Sequence, residues 1–581
     1  MTGLFGTVDH GSAGAAIRQL GGGELVAPDG PQIPSPAPAR SVLFGLPPAG
    51  RRFPGAVRAA VAFGAPALVA VALGHEQQGL MAAMGALAVI FGEGQVYRRR
   101  WRVIGAAALS LMLAAFAGGL TGELIQTRLA AGGSHWWQLA LVVLMSVVAV
   151  AGTFVNSALR LGPPGGFFFV LAAGVGALIT GHGVPAGEVG LWTAIGGLSA
   201  LIVGMSAVLT RADPPEQRAV TDAVAAVDDY AALDPAAADT AGARYATAMK
   251  VQTAWALLDD ARRTGPGANG AVDELRHAQR AFAAALHRNH TGDNASDLLF
   301  DTGRPAPTPR PSLRYRLLRS VSPDSHAVVS ANRIAIAALL AGSLTVALDL
   351  GRPDWAVVTV TVLLHQGPDR VRGTYRGVHR IGGTALGLVL FAGLYALEPR
   401  AWFLVLILMS LQFAIETLVA RNYGLAVVFI TPLALLMGGG GRYGDMVPVV
   451  LDRLLESALG VLIGLAVLWS MDRRAHRRVL LRNDQRILEV LDRLLRLMAS
   501  PPPQRTAFPE VRRELEFELM GSTLGALDAA HNEPEWMRTH WIRHQRIRRL
   551  GHQVLAAELP PDAPVDRQRL DQWSRSLTEL A

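Results

Sequence analysis

Two blocks of apolar runs, separated by short polar segments, dominate the pattern of hydrophobic and polar positions along the chain. A membrane-spanning helix needs about 20 mostly apolar residues. The first block predicts spans near 55–74, 79–92, 103–121, 137–155, 166–181 and 188–210. The second block predicts spans near 328–348, 354–366, 380–397, 401–420, 423–438 and 446–470. The pattern therefore predicts an all-α polytopic membrane protein with about twelve transmembrane helices.

The segments outside these blocks have different patterns. Residues 1–50 are rich in glycine and proline, which predicts a disordered N-terminal leader. Two further segments place apolar residues at helical spacing between charged ones, which predicts helical domains outside the bilayer. The predicted organisation is a leader 1–50, a first six-helix membrane repeat 51–210, a helical domain 211–326, a second six-helix membrane repeat 327–471 and a C-terminal helical domain 472–581.

Composition and charge placement support the membrane assignment. The chain is 51% hydrophobic and 17% charged, whereas soluble domains carry about 25% charged residues. The net charge is +8, but the arginines stand beside apolar runs, which indicates orientation by the positive-inside rule rather than nucleic-acid binding. This rule places both termini and both helical domains in the cytoplasm. The absence of cysteine excludes disulfides, thiol catalysis and thiolate metal sites.

An internal repeat relates the two blocks. The stretch YRRRWRVIG (97–105) aligns with YRGVHRIGG (375–383). Four aligned pairs are identical residues: Tyr97 with Tyr375, Arg98 with Arg376, Arg102 with Arg380 and Gly105 with Gly383. Because each block has an even number of spans, both halves run in the same direction, which predicts parallel repeats around an axis along the membrane normal. Short spans at equivalent places, the second with the eighth and the fifth with the eleventh, indicate a central cavity.

The matched arginines are candidates for a role at the cytoplasmic mouth of such a cavity. Arg372, Arg376 and Arg380 are four residues apart and form one helix face. Orientation of the chain by its total positive charge does not require arginines at matching positions in both halves. Arg370 and Arg372 are not among the matched arginines, so only these two are interpreted as orientation charge. The repeated residues are interpreted as a mouth that gathers anions: Tyr97, Arg98, Arg102, Tyr375, Arg376 and Arg380.

Polar and ionisable residues inside a bilayer are expensive, so they usually face a cavity or a partner. The candidates for lining a transport path are Arg58, Asn332, Arg333, Thr359, Thr361, Glu416, Asp452, Arg453 and Glu456. Arg333 could present its planar fork of donors to a carboxylate. Glu416 or Glu456 could carry a proton, as membrane carboxyls do in pumps and transporters.

Structural interpretations of the same residues stay open at this point. Arg58 and Arg333 lie near the predicted cytoplasmic ends of their helices, where the side chain of an arginine can snorkel to the interface. Asp452, Arg453 and Glu456 could form an ion-paired group that fixes one helix in place.

No motif for catalysis or for cofactor binding stands out. His540 and His544 have the spacing of some metal sites, but they lie in an arginine-rich helix whose solvated face explains them. The stretch GGGGR (438–442) lacks the Lys-Ser/Thr pair of a phosphate-binding loop. The sequence therefore predicts no enzyme activity, no cofactor and no metal site.

Four stretches resemble the fusaric acid resistance protein-like family, which includes aromatic acid exporters. They are DWAVVTVTVLL (354–364), RVRGTYRGVHRIGGTALG (370–387), RNYGLAVVFITPLALL (421–436) and DRLLESALGVLIGLAV (452–467). The order of six spans, helical domain, six spans and tail is also similar to this family. The resemblance implies a bacterial inner-membrane protein that exports small organic acids, often aromatic carboxylates, using the proton gradient.

The first half departs from the family pattern, because MAAMGALAVIFGEG (81–94) lacks the aromatic-threonine start and RRRWR stands where RGVHR would be expected. The leading hypothesis is a proton-coupled secondary exporter of small organic anions, embedded in the lipid bilayer as a homo-oligomer such as a dimer. The second hypothesis is a passive organic-anion channel, which a more distant resemblance to plant aluminium-activated malate channels suggests. The third is a membrane scaffold that acts through its cytoplasmic domains.

Overall fold

Helices form all of the regular secondary structure in the part of the chain that the structure describes. The computed structural model describes residues 33, 38–47, 52–162, 164–208, 214–233, 240–261, 269–289, 310–438, 446–501, 507–556 and 566–581. The predicted all-α fold class is therefore confirmed.

The described part of the first half contains a short helix followed by seven helices that coincide with the first six predicted spans. These helices are α1 (Ala39–Phe44), α2 (Phe53–Ala72), α3 (Glu76–Ala86), α4 (Ala88–Phe91), α5 (Tyr97–Ala130), α6 (Leu139–Leu159), α7 (Phe167–Gly181) and α8 (Ala186–Met205). The second predicted span is thus divided between α3 and α4, and a 3-10 turn, His135–Gln138, precedes α6.

In the described part of the chain, four helices lie between the halves, and six helices coincide with the remaining predicted spans. The connecting helices are α9 (Pro215–Ala231), α10 (Thr240–Asp260), α11 (Asn269–Asn289) and α12 (Leu313–Ser320). The helices of the second half are α13 (His326–Ala347), α14 (Pro353–Leu364), α15 (Arg370–Tyr395), α16 (Ala401–Leu418), α17 (Tyr423–Gly438) and α18 (Met446–Ser470). The C-terminal domain contains α19 (Ala475–Ala499), α20 (Phe508–Asn532), α21 (Pro534–Ala556) and α22 (Arg567–Leu580).

Among the described residues, seven helical segments are long and apolar enough to cross a bilayer. They are Phe53–Ala72, Tyr97–Ala130, His135–Leu159, Ala186–Met205, His326–Ala347, Arg370–Tyr395 and Ala401–Leu418. The pair α18 and α19, bent by 60°, adds an eighth if it is counted as one span. The other predicted spans are shorter apolar helices: Gln78–Phe91, Phe167–Gly181, Pro353–Leu364 and Tyr423–Gly438. The count of twelve spans therefore stays a prediction.

Helix packing is duplicated between the halves. In the first half α2 packs on α3 and α8, and α5 packs on α7 and α8; in the second half α13 packs on α14 and α18, and α15 packs on α17 and α18. Between the halves, α6 packs on α13 and α16 packs on α2. The first span of each half thus contacts the fourth span of the other half. This reciprocal pairing is expected if a two-fold axis relates the two halves, as the predicted repeat implies.

Glycines allow the short helix of the first half to approach its neighbour closely. A Cβ atom at Gly85 of α3 would overlap the carbonyl oxygen of Thr193 on α8, and one at Gly196 of α8 would overlap that of Ala82 on α3. Small residues at membrane helix interfaces permit such backbone contact, and dispersion forces then stabilise the pair.

The short helix of the second half, α14, is enclosed by protein. All twelve of its residues are buried, and it packs on α13, α15 and α18 of its own half and on α6 and α7 of the first half. Pro353 stands in its first turn, where the missing amide hydrogen costs nothing. The polar residues of α14 therefore lie inside the protein, between the two halves.

The helices outside the predicted spans form their own apolar cores. Tyr230, Trp255 and Phe282 are buried together between α9, α10 and α11. Leu515 and Ile547 belong to the core of the C-terminal domain, between α19, α20 and α21. The amphipathic pattern of these segments is explained by this packing.

Part of the predicted leader contacts the membrane domain. Residue 33 and residues 38–47 are described, and the rest of the stretch 1–50 lies outside the described residues. The carbonyl oxygen of Leu43 accepts hydrogen bonds from Asn422 Nδ2 at 3.0 Å and from the ring of His379 at 3.2 Å. The carbonyl of Pro47 accepts a hydrogen bond of 2.6 Å from Arg421 Nε. Residues 38–47, which contain α1, are therefore held at the beginning of α17.

Candidate functional site in the second half

A group of polar side chains surrounds the beginning of α14. Arg352 pairs through Nε and Nη2 with the carboxylate of Asp354, at 3.2 and 2.8 Å, and its main-chain N–H donates a 2.7 Å hydrogen bond to Glu456 Oε1. The guanidinium of Arg453 lies 3.5 Å from the ring centroid of Trp355, within cation–π distance. These five residues, from α14, the loop before it and α18, are called the polar cluster below.

The polar cluster contains donors and an acceptor that no other described residue satisfies. Arg453 is 1% exposed, and none of its three side-chain nitrogens has a hydrogen-bond partner among the described residues. Within the same part of the chain, Glu456 Oε2 is also buried and without a hydrogen-bond partner. Buried charged groups are normally paired. The cluster therefore has the chemistry to bind an anion between its guanidinium donors and an aromatic face.

Polar groups continue from the cluster along α14 and α15. Arg380 is buried on α15, and its Nη2 lies 3.4 Å from the hydroxyl of Thr359, about one turn along α14 from Trp355. Further along the antiparallel helix pair, Arg376 donates a hydrogen bond to Gln366. The polar track thus runs from the cluster at the start of α14 to the start of α15.

Arg333 and Arg58 make equivalent contacts in the two halves. Arg333 donates to the main-chain carbonyl of Pro368 at 2.9 Å and to that of Met471 at 3.1 Å. Arg58 pairs with Glu93 Oε1 at 2.7 Å. Pro368 and Glu93 both lie in the loop that follows the short helix of their half. Each arginine therefore ties the first helix of its half to that loop.

Other path candidates make local contacts. Glu416 accepts a 3.1 Å hydrogen bond from Gln412, and both lie on α16, which packs on α2. Thr361 donates to the Val357 carbonyl of its own helix at 2.8 Å. Asn332 is exposed, and Asp452 is half-buried on α18. None of these contacts joins the polar cluster.

The aligned mouth residues differ in their surroundings. Arg98 and Arg102 are exposed, whereas Arg380, the counterpart of Arg102, is buried. Tyr97 and Tyr375 are both half-buried. The six mouth candidates thus differ between the two halves in the exposure of their arginines.

Sequence reasoning overlooked Arg100, which is 3% exposed and lies 3.4 Å from Glu93. A signal for its burial was present, since Ile104 and Leu111 lie on the same helix face at helical spacing and are also buried.

Sequence reasoning also overlooked three residues of the polar cluster, Arg352, Asp354 and Trp355. Asp354 and Trp355 were noted only as part of the stretch 354–364, which resembles the fusaric acid resistance protein-like family. Their signal was a charged pair and a tryptophan at the start of a short apolar helix.

Arg370 and Arg372, interpreted as orientation charge, make specific contacts: Arg370 donates to the Arg473 carbonyl at 2.9 Å, and Arg372 lies 3.3 Å from Asp369.

The comparison with known proteins centres on this half of the chain. Residues 336–467 match the family model described as fusaric acid resistance protein-like. The predicted resemblance is therefore confirmed for the region that contains the whole polar cluster and both arginines of the polar track.

Two curated relatives extend the comparison. The chain is 24% identical to the uncharacterized membrane protein YvaC of Bacillus subtilis (strain 168), over 89% of this chain and 88% of that protein. It is 28% identical to the uncharacterized protein YhfK of Escherichia coli (strain K12), over 44% of this chain and 35% of that protein. No solved structure gives a significant match. The chain is thus a membrane protein with a fusaric acid resistance protein-like region, and the names of these relatives assign no substrate.

Proposed function

We propose that this protein is a secondary transporter that exports small organic anions across the bacterial inner membrane, with both termini in the cytoplasm. The observation that supports the proposal best is the state of Arg453. Its guanidinium is enclosed among apolar helices, and its nitrogens donate no hydrogen bond to another described residue. An intramembrane charge of this kind usually belongs to a substrate or ion pathway.

The arrangement of groups suggests how an anion would be handled. Arg376 and Arg380 attract it from the start of α15, and Arg453 offers the carboxylate a planar set of donors. The ring of Trp355 lies against the Arg453 guanidinium at 3.5 Å and fixes its plane. The same ring gives the carbon skeleton of an organic anion an apolar surface to contact.

Glu456 is the residue on which we place proton coupling. Its Oε1 atom is held by the main-chain N–H of Arg352, and its Oε2 atom has no hydrogen-bond partner among the described residues. It lies one helical turn from Arg453 on α18, so gain or loss of its proton changes the charge beside the anion site by one unit. Interactions between charges at this distance are strong where water is excluded, so anion affinity depends on the protonation of Glu456.

The test is transport by the purified protein in lipid vesicles, with radiolabelled aromatic and aliphatic monocarboxylates and with or without a pH gradient. Arg453→Gln is expected to lower anion uptake at least about 30-fold, because a charge-assisted hydrogen bond contributes about 2 kcal/mol or more. Arg400→Gln is the matched control, since Arg400 is 68% exposed and pairs only with Glu398 among the described residues. Normal transport by Arg453→Gln would remove the site from the proposal.

A second variant separates coupling from binding. Glu456→Gln is expected to transport anions down their own gradient while losing the response to a pH gradient. If the wild-type protein already ignores the pH gradient and carries a current set by the anion gradient alone, the passive channel replaces the coupled exporter. If Glu456→Gln still responds to the pH gradient, the proton is carried elsewhere, and Glu416 becomes the residue to test.

A further inference from the structure

A few buried hydroxyl groups of the apolar helices lack the hydrogen bond that such groups normally make. Inside a helix, a serine or threonine hydroxyl can donate to the main-chain carbonyl one turn earlier. The buried hydroxyls that do so here, at 2.7–3.0 Å, include those of Ser146, Thr193, Thr345, Thr361 and Thr431. Four other buried serine or threonine hydroxyls have no hydrogen-bond partner among the described residues: Thr153, Ser330, Thr384 and Ser457.

Two of these four hydroxyls belong to the helices of the candidate site. Thr384 lies one turn after Arg380 on α15, and Ser457 lies one turn after Arg453 on α18. The Nε atom of Arg380 is also buried without a hydrogen-bond partner in the described part of the chain. The other two hydroxyls lie on α6 and α13, which carry no residue of the polar cluster or of the polar track. Thr384 and Ser457 are therefore the hydroxyls that extend the candidate site.

Helices α15 and α18 run antiparallel with a defined register. A Cβ atom at Gly373 of α15 would meet Leu468 of α18, and one at Gly377, a turn later on α15, would meet Val461. Each turn forward along α15 therefore corresponds to a turn back along α18.

This register places Thr384 level with Ser457. Thr384 lies seven residues, or about two turns, after Gly377 and thus on the same face of α15. On α18 the residues beside Gly377 are Val461 and Leu465. Ser457 lies one turn before Val461 and two turns before Leu465, at the level that α15 reaches with Thr384. The two unsatisfied hydroxyls are therefore neighbours across the contact of α15 with α18.

The short helix α14 closes the third side of this contact. A Cβ atom at Gly460 of α18 would lie 2.8 Å from the Ala356 carbonyl oxygen and 2.9 Å from Thr359 Cβ on α14. Thr359 is the residue whose hydroxyl lies 3.4 Å from Arg380 Nη2. The hydroxyl pair is thus placed beside the polar track that connects the start of α15 to the polar cluster.

The two arginines of the site lie on either side of the hydroxyl pair. The register puts Arg380 level with Val461, eight residues from Arg453 along α18, which corresponds to about 12 Å. One carboxylate group does not bridge two helix levels at this separation. Thr384 and Ser457 stand at the intermediate level, so an anion that leaves one arginine meets their hydroxyls before it reaches the other.

We propose that Thr384 and Ser457 form a second anion position, at which two neutral hydroxyl donors hold a carboxylate group as it passes between Arg380 and Arg453. This inference rests on the proposed function and adds an intermediate step to it. A hydroxyl donates a short, strong hydrogen bond to a carboxylate oxygen. Because the pair carries no charge, it holds the anion less tightly than a guanidinium does, and conduction requires sites that an ion can leave.

Thermal unfolding without added organic anion tests whether the hydroxyl is free. Thr384→Val keeps the shape of the side chain and removes a buried, unsatisfied polar group, so its midpoint is expected about 1–3 °C above that of the wild type. Thr345→Val is the matched control, because the Thr345 hydroxyl is buried and bonded to the Ala341 carbonyl at 2.8 Å. Its midpoint is expected below that of the wild type.

Uptake of radiolabelled benzoate by the purified protein in lipid vesicles tests the role in transport. Thr384→Val and Ser457→Ala are each expected to lower the maximal uptake rate about tenfold, with the half-saturating concentration unchanged because Arg453 is intact. Thr384→Ser keeps the hydroxyl and is expected to restore the rate. Thr153→Val removes an unsatisfied hydroxyl from α6, away from the site, and is expected to transport as the wild type does.

The outcomes separate this inference from the proposed function. Wild-type uptake by both Thr384→Val and Ser457→Ala, with uptake lost in Arg453→Gln, overturns the second anion position and leaves the transporter. A midpoint of Thr384→Val as low as that of Thr345→Val also overturns it, since the hydroxyl is then bonded within the protein. If the wild type transports no benzoate, the proposed function fails, and binding decides the position. A benzoate-induced rise of the wild-type midpoint that is smaller in the double variant supports it, and equal rises overturn it.

Discussion

Replacing Arg333 by glutamine distinguishes a structural arginine from a substrate-binding one. The guanidinium is 1% exposed and donates through Nη1 to the Pro368 carbonyl and through Nη2 to the carbonyls of Met471 and Asp472. A hydrogen bond from a charged donor contributes about 1.5–3 kcal/mol, so losing both nitrogen donors is expected to cost about 3–6 kcal/mol. Arg333→Lys keeps the charge and one donor direction, so about half of this loss is expected.

The assay is equilibrium unfolding in mixed micelles, combined with anion transport by the same preparation. Asn332→Ala is the control, since Asn332 is the exposed neighbour on the same helix and a surface change of this kind alters stability by within about 0.5 kcal/mol. If Arg333→Gln is destabilised and Arg333→Lys recovers stability and transport together, the arginine is structural. Wild-type stability of Arg333→Gln with complete loss of transport would refute this reasoning and return Arg333 to the substrate path.

Further substitutions test helix packing and the polar track. Gly196→Ala is expected to destabilise the fold by about 1–3 kcal/mol, because its Cβ atom meets the Ala82 carbonyl; Gly187→Ala, with open space at the same helix, is the control in thermal unfolding. Arg380→Lys keeps the charge but loses the planar donor set, so anion uptake in vesicles is expected to fall about tenfold. Unchanged uptake would make Arg380 a simple orientation charge. Arg400→Lys is expected to leave uptake unchanged because Arg400 is exposed.

The chemistry of the candidate site was only partly visible in the sequence. Arg453 and Glu456 were recognised, because ionisable residues in an apolar run are unusual whatever the fold. Trp355 and Arg352 were not selected, since a tryptophan and an arginine at the end of an apolar run commonly sit at the bilayer interface. Their role follows from the burial of α14 between the two halves, and burial depends on contacts with α6 and α7 that are distant in the sequence.

Arg58 and Arg333 show the opposite case. Their position in the sequence left snorkelling and substrate binding equally open. The structure places Arg58 beside Glu93 and Arg333 beside main-chain carbonyls, because the loop after each short helix folds back towards the first helix of its half. A carbonyl partner in particular has no signature in the sequence, since every residue carries one.

The sequence alone determined the helical class, the positions of the apolar helices and the resemblance to the fusaric acid resistance protein-like family. These properties depend on local hydrophobicity, which is written residue by residue. Only the tertiary structure decided which charges are paired, which are enclosed, and that Thr384 lies level with Ser457. Those properties depend on the distance between groups far apart in the chain, and electrostatic energies change with distance and burial far more than with the identity of the residue.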